Sequence, residues 1–189
     1  MSHLPISEVL DSLKYLDLLV NIPLVDMLLR VTRLLGHPGC RIQSLTFDFA
    51  RCSTRHIVSQ VGNSESAERV VNPLRAALRA LSSLEIFTLK AGDAARRVFH
   101  ARSATTWSIF AAILLCLPIE LQELHIVASE FFSMDLRLLQ DACERLQALH
   151  RFMLCGDLDT AVKTEIRQAL HDLVERNALH FDAIVPEDD

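Results

Sequence analysis

The feature that most constrains this chain is a pattern it repeats. The run Leu146-Gln-Ala-Leu149-His-Arg-Phe152-Met-Leu154 reads L-x-x-L-x-x-F-x-L and closes on Cys155-Gly156. The same spacing occurs at Leu81-Ser-Ser-Leu84-Glu-Ile-Phe87-Thr-Leu89. Shorter forms stand at Leu121-Gln-Glu-Leu124-His-Ile126, Ile42-Gln-Ser-Leu45-Thr-Phe47 and Ala178-Leu179-His-Phe181. In each, the last apolar residues alternate with others, which is the spacing of a strand with one buried face. With Leu45, Phe87, Leu124, Phe152 and Leu179 as equivalent anchors, the intervals are 42, 37, 28 and 27 residues. A period of that size marks a stack of similar supersecondary units, the earlier two carrying insertions.

Helical spacing fills the intervals. Ile6, Val9, Leu10, Leu13, Leu16 and Leu19–Val20 predict an amphipathic helix over 6–20, with Ser7 as N-cap. Pro23 fits the first turn of a second helix carrying Leu24, Met27, Leu28, Val31 and Leu34–Leu35, and Gly36, Pro38 and Gly39 end it. This hairpin, residues 1–39, reads as a helical cap on a repeat stack. Strands are expected at 42–49, 84–91, 121–128, 149–155 and 179–185. Between them lie a polar loop at 50–66, a helix around Val70–Leu81 with Pro73 near its start, a basic stretch at 93–106, and helices at 107–117, 133–147 and 158–175. Ser133 is a candidate N-cap, and an acidic tail occupies 186–189. Helices alternating with short strands imply parallel strands joined by crossovers. The expected fold is therefore α/β: a repeat solenoid of about five parallel strands backed by helices over 40–185. A doubly wound sheet satisfies the same alternation, but its strands, buried on both faces, read as continuous apolar runs.

Composition and charge narrow the function classes. Half the residues are apolar, enough for a sizeable core. Five cysteines form no C-x-x-C pair, and no basic n-region precedes the first apolar stretch. Both point to reduced thiols inside the cell, with Cys116 and Cys155 as core fillers. Trp107–Leu117, the longest apolar run, is about half of what a membrane span needs and stops at Pro118. The net charge of −5 is unevenly spread: residues 41–102 carry ten Lys/Arg against five Asp/Glu, whereas 103–189 carry six against fifteen. Arg96, Arg97, His100 and Arg102 form a basic cluster lacking the interleaved aromatics of a nucleic-acid surface. Neither nucleic acid nor membrane is expected as a partner.

The residues resemble a known family. L-x-x-L-x-x-F-x-L followed by a helix is similar to the leucine-rich repeat in its longer, helix-containing form, and the irregular spacing to the divergent repeats of fungal F-box/leucine-rich-repeat proteins. The family's Asn or Cys after the strand is matched by Cys155 and replaced by Gly92 and Ser129 elsewhere. Leu4-Pro5-Ile6-Ser7-Glu8-Val9-Leu10 echoes the Leu-Pro opening of an F-box, the alternative to a plain cap for these residues. The resemblance implies a protein partner, delivered to a ubiquitin ligase if the F-box is present.

No chemistry emerges from motifs. G-x-G-x-x-G, G-x-x-x-x-G-K and G-x-S-x-G are all absent. His125 and His180 would sit in equivalent positions two strands apart, about 10 Å, too far to share a metal. Asp157 and Asp159 precede a helix and read as capping residues. No catalytic residue, cofactor or metal is expected. The functional reading is a non-enzymatic recognition module. Its contact surface is formed by the residues alternating with the buried anchors: Thr46 and Asp48; Ile86, Thr88 and Lys90; Glu123, His125 and Val127; Arg151 and Met153; His180 and Asp182. The competing class is a doubly wound α/β enzyme with active residues at strand carboxyl ends, near Gly92, Ser129–Glu130 and Gly156-Asp157. A third reading is a fragment of a larger repeat protein, which an exposed apolar edge at Leu179–Val185 would favour.

Overall fold

The computed structural model describes residues 13–19, 24–49, 64–91, 113–128 and 136–183. In chain order these form β1 (Tyr15–Leu19), α1 (Leu24–Leu35), β2 (Ser44–Asp48), α2 (Ser64–Arg79), β3 (Ile86–Ala91), β4 (Glu123–Ala128), α3 (Leu136–Arg145), β5 (Arg151–Cys155), α4 (Thr160–Ala169), α5 (His171–Glu175) and β6 (Leu179–Asp182). The strands make one all-parallel sheet in the order β1-β2-β3-β4-β5-β6. Every strand lies beside its sequence neighbour, so the order contains no reversal and none of the switch-point crevice that a reversal creates.

The register joins the repeated anchors. Leu16, Leu45, Phe87, Leu124, Phe152 and Leu179 pair in succession across all six strands. Two residues on, Leu18, Phe47, Leu89, Ile126, Leu154 and Phe181 form a second row. Both rows face the helices and join one core with Val31, Leu35, Leu74, Leu78, Leu139, Ile166 and Leu173. Burying each such Leu or Phe contributes about 1.5–3 kcal/mol. Within the core, Phe47 meets Phe87 edge-on at 5.6 Å and Phe49 at 6.2 Å, geometry that favours aromatic pairs. Right-handed crossovers between strands added in one direction bring each connecting helix to the same side. The result is a parallel sheet backed by helices.

The leucines ahead of each strand have a separate task. Leu84 N–H donates to Leu81 O, Leu121 N–H to Pro118 O and Leu149 N–H to Leu146 O, at 3.0–3.2 Å. Each is a tight turn held by a buried residue at its end, since Leu84, Leu121 and Leu149 are all in the core. The carbonyl one residue later then accepts two N–H groups from the following unit. Lys14 O takes those of Gln43 and Ser44, Gln43 O those of Glu85 and Ile86, Glu85 O those of Gln122 and Glu123, and Gln122 O those of His150 and Arg151. One backbone arrangement thus recurs at four successive junctions.

Three local expectations need correction. Residues 15–19 are a strand, not the end of a helix, which brings the strand count to six. Leu16 and Leu18 are half-buried against the core while Tyr15, Asp17 and Leu19 are exposed, an alternation that helical geometry cannot deliver. Pro73 lies well inside α2, which starts at Ser64; its ring points to solvent from a helix anchored by Val71, Leu74, Ala77 and Leu78. The segment 158–175 is two helices, parted at Leu170, whose φ of −112° and ψ of 40° leave the helical region. Burial of Ile166, Leu170 and Leu173 holds both pieces on the core.

Other expectations are met. The second N-terminal helix ends at Leu35, and Gly36 follows it at a tight spot, where a Cβ would stand 3.1 Å from Thr32 O. Asp159 caps α4, its Oδ1 accepting from Val162 N–H at 2.8 Å. The F-box-like residues 4–10, Ser7, Gly92, the basic stretch 93–106, Ser129–Glu130, Ser133 and the tail lie outside the described residues, as does most of the 107–117 helix. Among the described residues no helix is long and apolar enough to cross a membrane.

α5 enters β6 through Asn177, the one described non-glycine residue with positive φ, at 53°. Ala178 N–H donates to Leu173 O and Asn177 N–H to Val174 O, the pair of bonds that closes a helix in the Schellman manner, with Leu173 and Ala178 both buried beside it. Asn177→Gly should leave the urea midpoint nearly unchanged, whereas Asn177→Val should cost about 1–2 kcal/mol. Phe87→Ala should cost about 3–5 kcal/mol and Thr88→Ala, one residue on but facing away, within about 0.5 kcal/mol. Equal losses at 87 and 88 would contradict the assignment of the two faces.

Candidate functional site

Alternation that sends the anchors inward sends their neighbours to the other side of the sheet. That open face has three rows in register. The first runs Tyr15, Ser44, Ile86, Glu123, Arg151; the second Asp17, Thr46, Thr88, His125, Met153, His180; the third Leu19, Asp48, Lys90, Val127, Cys155, Asp182. All twelve residues expected on the contact surface stand here. Arg151, His180 and Asp182 are exposed and the other nine half-buried. Five further residues share the face. Tyr15, Asp17 and Leu19 arrive with β1, and Ser44 is one step back along Thr46's alternation. Cys155, expected in the core, instead follows Met153 by two residues and is half-buried on the open side. Its signal was the same period of two.

The face has a local charge order. Glu123 Oε2 lies 3.1 Å from His125 Nε2 and 3.7 Å from Arg151 Nη1. The carboxylate sits between a same-strand neighbour and the residue opposite it in the ladder. With Glu123 and His125 each 22% exposed and Arg151 45%, the arrangement is partly shielded from water. It fixes the imidazole's orientation and gives the β4–β5 half its own charge balance. His125 and His180 are separated by Met153, in the two-strand relation expected. Among the described residues no group of three His, Cys, Asp or Glu could hold a metal ion.

Burial works against thiolate formation at both perturbed thiols. Burial pushes Cys143 up from 9.0 to about 12, Arg176 opposing and Glu144 reinforcing the shift. Cys155 is also raised, first by desolvation, then by Asp182, against a lowering by Arg151. A reactive thiol needs the opposite. Of the strand ends where an α/β enzyme would place its chemistry, Gly156-Asp157 is the described one. There Gly156 N–H is tied to Asp182 O, and Asp157 is exposed.

A cleft of about 440 Å³ opens on the helical side, between α3 and the α4–α5 break. Cys143, Leu146, Leu170 and Leu173 form its floor, with Glu144, Asp172 and Arg176 at the rim. It is separated from the open face by the sheet and core.

Comparison with protein-family models gives no match, and comparison with curated proteins gives none either.

The raised thiol of Cys143 has a signed consequence. Its folded pKa exceeds the ordinary value, so the stability it contributes is complete below about pH 9 and is lost as pH rises towards 12. The urea midpoint should therefore fall less between pH 8 and about pH 11 in Cys143→Ala than in wild type, starting from a lower value because of the cavity. A parallel decline in both proteins would remove Cys143 as the cause.

Proposed function

We propose that this chain is a non-enzymatic protein-recognition module of the leucine-rich-repeat-like kind, and that the open face of its sheet is the contact surface. The observation that carries the reading is a face of the all-parallel sheet that, among the described residues, no helix covers. Parallel sheets are ordinarily covered on both sides, and here the helices gather on one side while Ile86, Val127 and Met153 stand half-buried among polar residues on the other. The sequential strand order and the repeated junction hydrogen bonds support a solenoid, in which each unit packs on its neighbours. Such a surface is held by the backbone ladder, so a partner binds without first ordering it. The partner is a protein; a role as the substrate-binding part of a ubiquitin-ligase adaptor rests on the F-box-like residues 4–10.

The test is an affinity pull-down from native lysate with three proteins of matched thermal stability: wild type, the open-face variant Lys90→Glu/His125→Glu/Met153→Asp, and the helix-side variant Gln140→Glu/Gln147→Glu. Partners retained by wild type and the helix-side variant but lost from the open-face variant are the expected result. Ubiquitin-ligase subunits retained by all three would place that interaction outside the open face. Retention of the same partners by the open-face variant would overturn the reading.

A further inference from the structure

The two ends of the sheet match each other in backbone phase. At β6, Phe152 N–H donates to Ala178 O and Gly156 N–H to Asp182 O. The peptide groups of Ala178, His180 and Asp182 therefore turn to β5, and those of Leu179 and Phe181 turn away from it. At β1, Ser44 N–H donates to Lys14 O. By the same rule Leu16 and Leu18 turn to β2, while Tyr15, Asp17 and Leu19 turn away. Among the described residues no further strand lies beyond β1 or β6. Asp182 Oδ1 accepts from Ala183 N–H at 2.9 Å, which ends the β6 edge. The buried rows are also unfinished at these two strands. Their inner members, Leu45, Phe87, Leu124 and Phe152 in one row and Phe47, Leu89, Ile126 and Leu154 in the other, are at most 3% exposed. Leu16, Leu18, Leu179 and Phe181, at the row ends, are only half-buried.

A second copy of this chain completes both edges at once. With its β1 laid parallel on β6, Leu179 meets the copy's Leu16 and Phe181 the copy's Leu18, so both apolar rows continue. In that register Leu179 N–H reaches the copy's Tyr15 O, and the copy's Asp17 N–H reaches Leu179 O. Phe181 N–H likewise reaches the copy's Asp17 O, and the copy's Leu19 N–H reaches Phe181 O. On the open side, exposed His180 stands directly opposite the copy's Asp17, an opposite pair of the kind that stabilises neighbouring strands. We propose that β6 of one molecule pairs with β1 of another, so that copies of this chain add head to tail along the sheet. Unpaired strand edges are templates for such addition, and a contact between unlike surfaces is heterologous and continues unless its rotation closes a ring. Pairing β1 with β1 is antiparallel, and its centred register sets Asp17 against Asp17, a like-charge pair. The contact lies at the sheet edges and stands independently of the open-face reading.

Sedimentation velocity of the full chain should give a weight-average mass that rises with concentration and passes that of a dimer. Two variants each close one edge. Asp17→Pro removes an outward N–H from β1, and Leu179→Pro removes one from the first residue of β6, positions at which an edge strand accepts proline. Each alone should associate about tenfold or more weakly, having lost a hydrogen bond and left its acceptor unpaired. Their equimolar mixture should form one-to-one dimers and nothing larger, because the intact β6 of the first fits the intact β1 of the second. Independently, His180→Asp should weaken association by setting like charges opposite, and His180→Asp/Asp17→Lys should restore it. Circular dichroism melting checks that each variant is folded, and the charge pair decides alone if a proline variant is not. A single-chain mass at all concentrations up to about 1 mM would overturn the proposal. So would a wild type that stops at a dimer, a mixture of folded proline variants that stays monomeric, or association unchanged by His180→Asp.

Discussion

The double acceptance of two N–H groups by one carbonyl, repeated at Lys14, Gln43, Glu85 and Gln122, is the constraint on which the rest depends. It sets where β2, β3, β4 and β5 each begin relative to the strand before, and hence which residues pair. Side chains alternate with a period of two, so a slip of one residue would turn every buried anchor to solvent and every face residue inward. The turns ahead of β3, β4 and β5 prevent that slip. Leu84, Leu121 and Leu149 are buried as well as hydrogen-bonded, so the backbone cannot shift without exposing a leucine.

Once the register is set, the core follows from stacking like on like. Phe87 and Phe152 occupy the same row as Leu45 and Leu124, and all four are fully buried. α1 and α2 are long, while α3 is short and the segment after β5 is broken at Leu170. That break lets α5 turn into β6 through Asn177 while Leu170 and Leu173 both remain buried. At the far end, Phe181 is the last residue of its row and only half-buried. Arg167 and Lys163 of α4 lie over its ring at 4.9 and 6.0 Å. It is their charged ends that stand over the ring face, a cation–π arrangement.

How far the sequence revealed this depends on which interaction decides each element. The five anchors from Leu45 to Leu179 were legible because a repeated spacing records the register itself. β1 was not. Leu13, Leu16 and Leu19–Val20 satisfy helical spacing as well as Leu16 and Leu18 satisfy alternation, and only five residues are involved. The choice is made by the free backbone edge of β2, which is a tertiary partner and leaves no mark in the local pattern. The break at Leu170 escaped for a related reason: no Gly or Pro marks it, and Ile166, Leu170 and Leu173 keep helical spacing across it. On the open face, Thr46 to Asp182 could be read as a set because their positions follow from the anchors by parity. Cys155 obeys the same parity, but its residue type argued for burial, and parity won. The pairing of Glu123 with both His125 and Arg151 required knowing which strands are adjacent.

That the described helices lie on one side of the sheet also explains why the open face has the composition it has. A surface fully exposed on a parallel sheet would favour charged residues throughout, and one fully buried would be apolar throughout. This face is neither: Thr46, Thr88, Ile86, Val127 and Met153 are half-buried, with charges concentrated at Asp17, Asp48, Lys90, Glu123, Arg151 and Asp182. β-branched residues supply strand preference where no covering helix would. Strands under 5 Å apart shield one another's side chains, which adds to that moderate burial. Apolar contact area and discrete charges therefore coexist on a rigid support. If this face is the contact surface we propose, that combination yields selectivity through charge placement and affinity through the apolar residues between the charges. It also limits what any single residue can contribute, except at β1, where Tyr15 and Leu19 have no further strand beside them among the described residues to share their exposure.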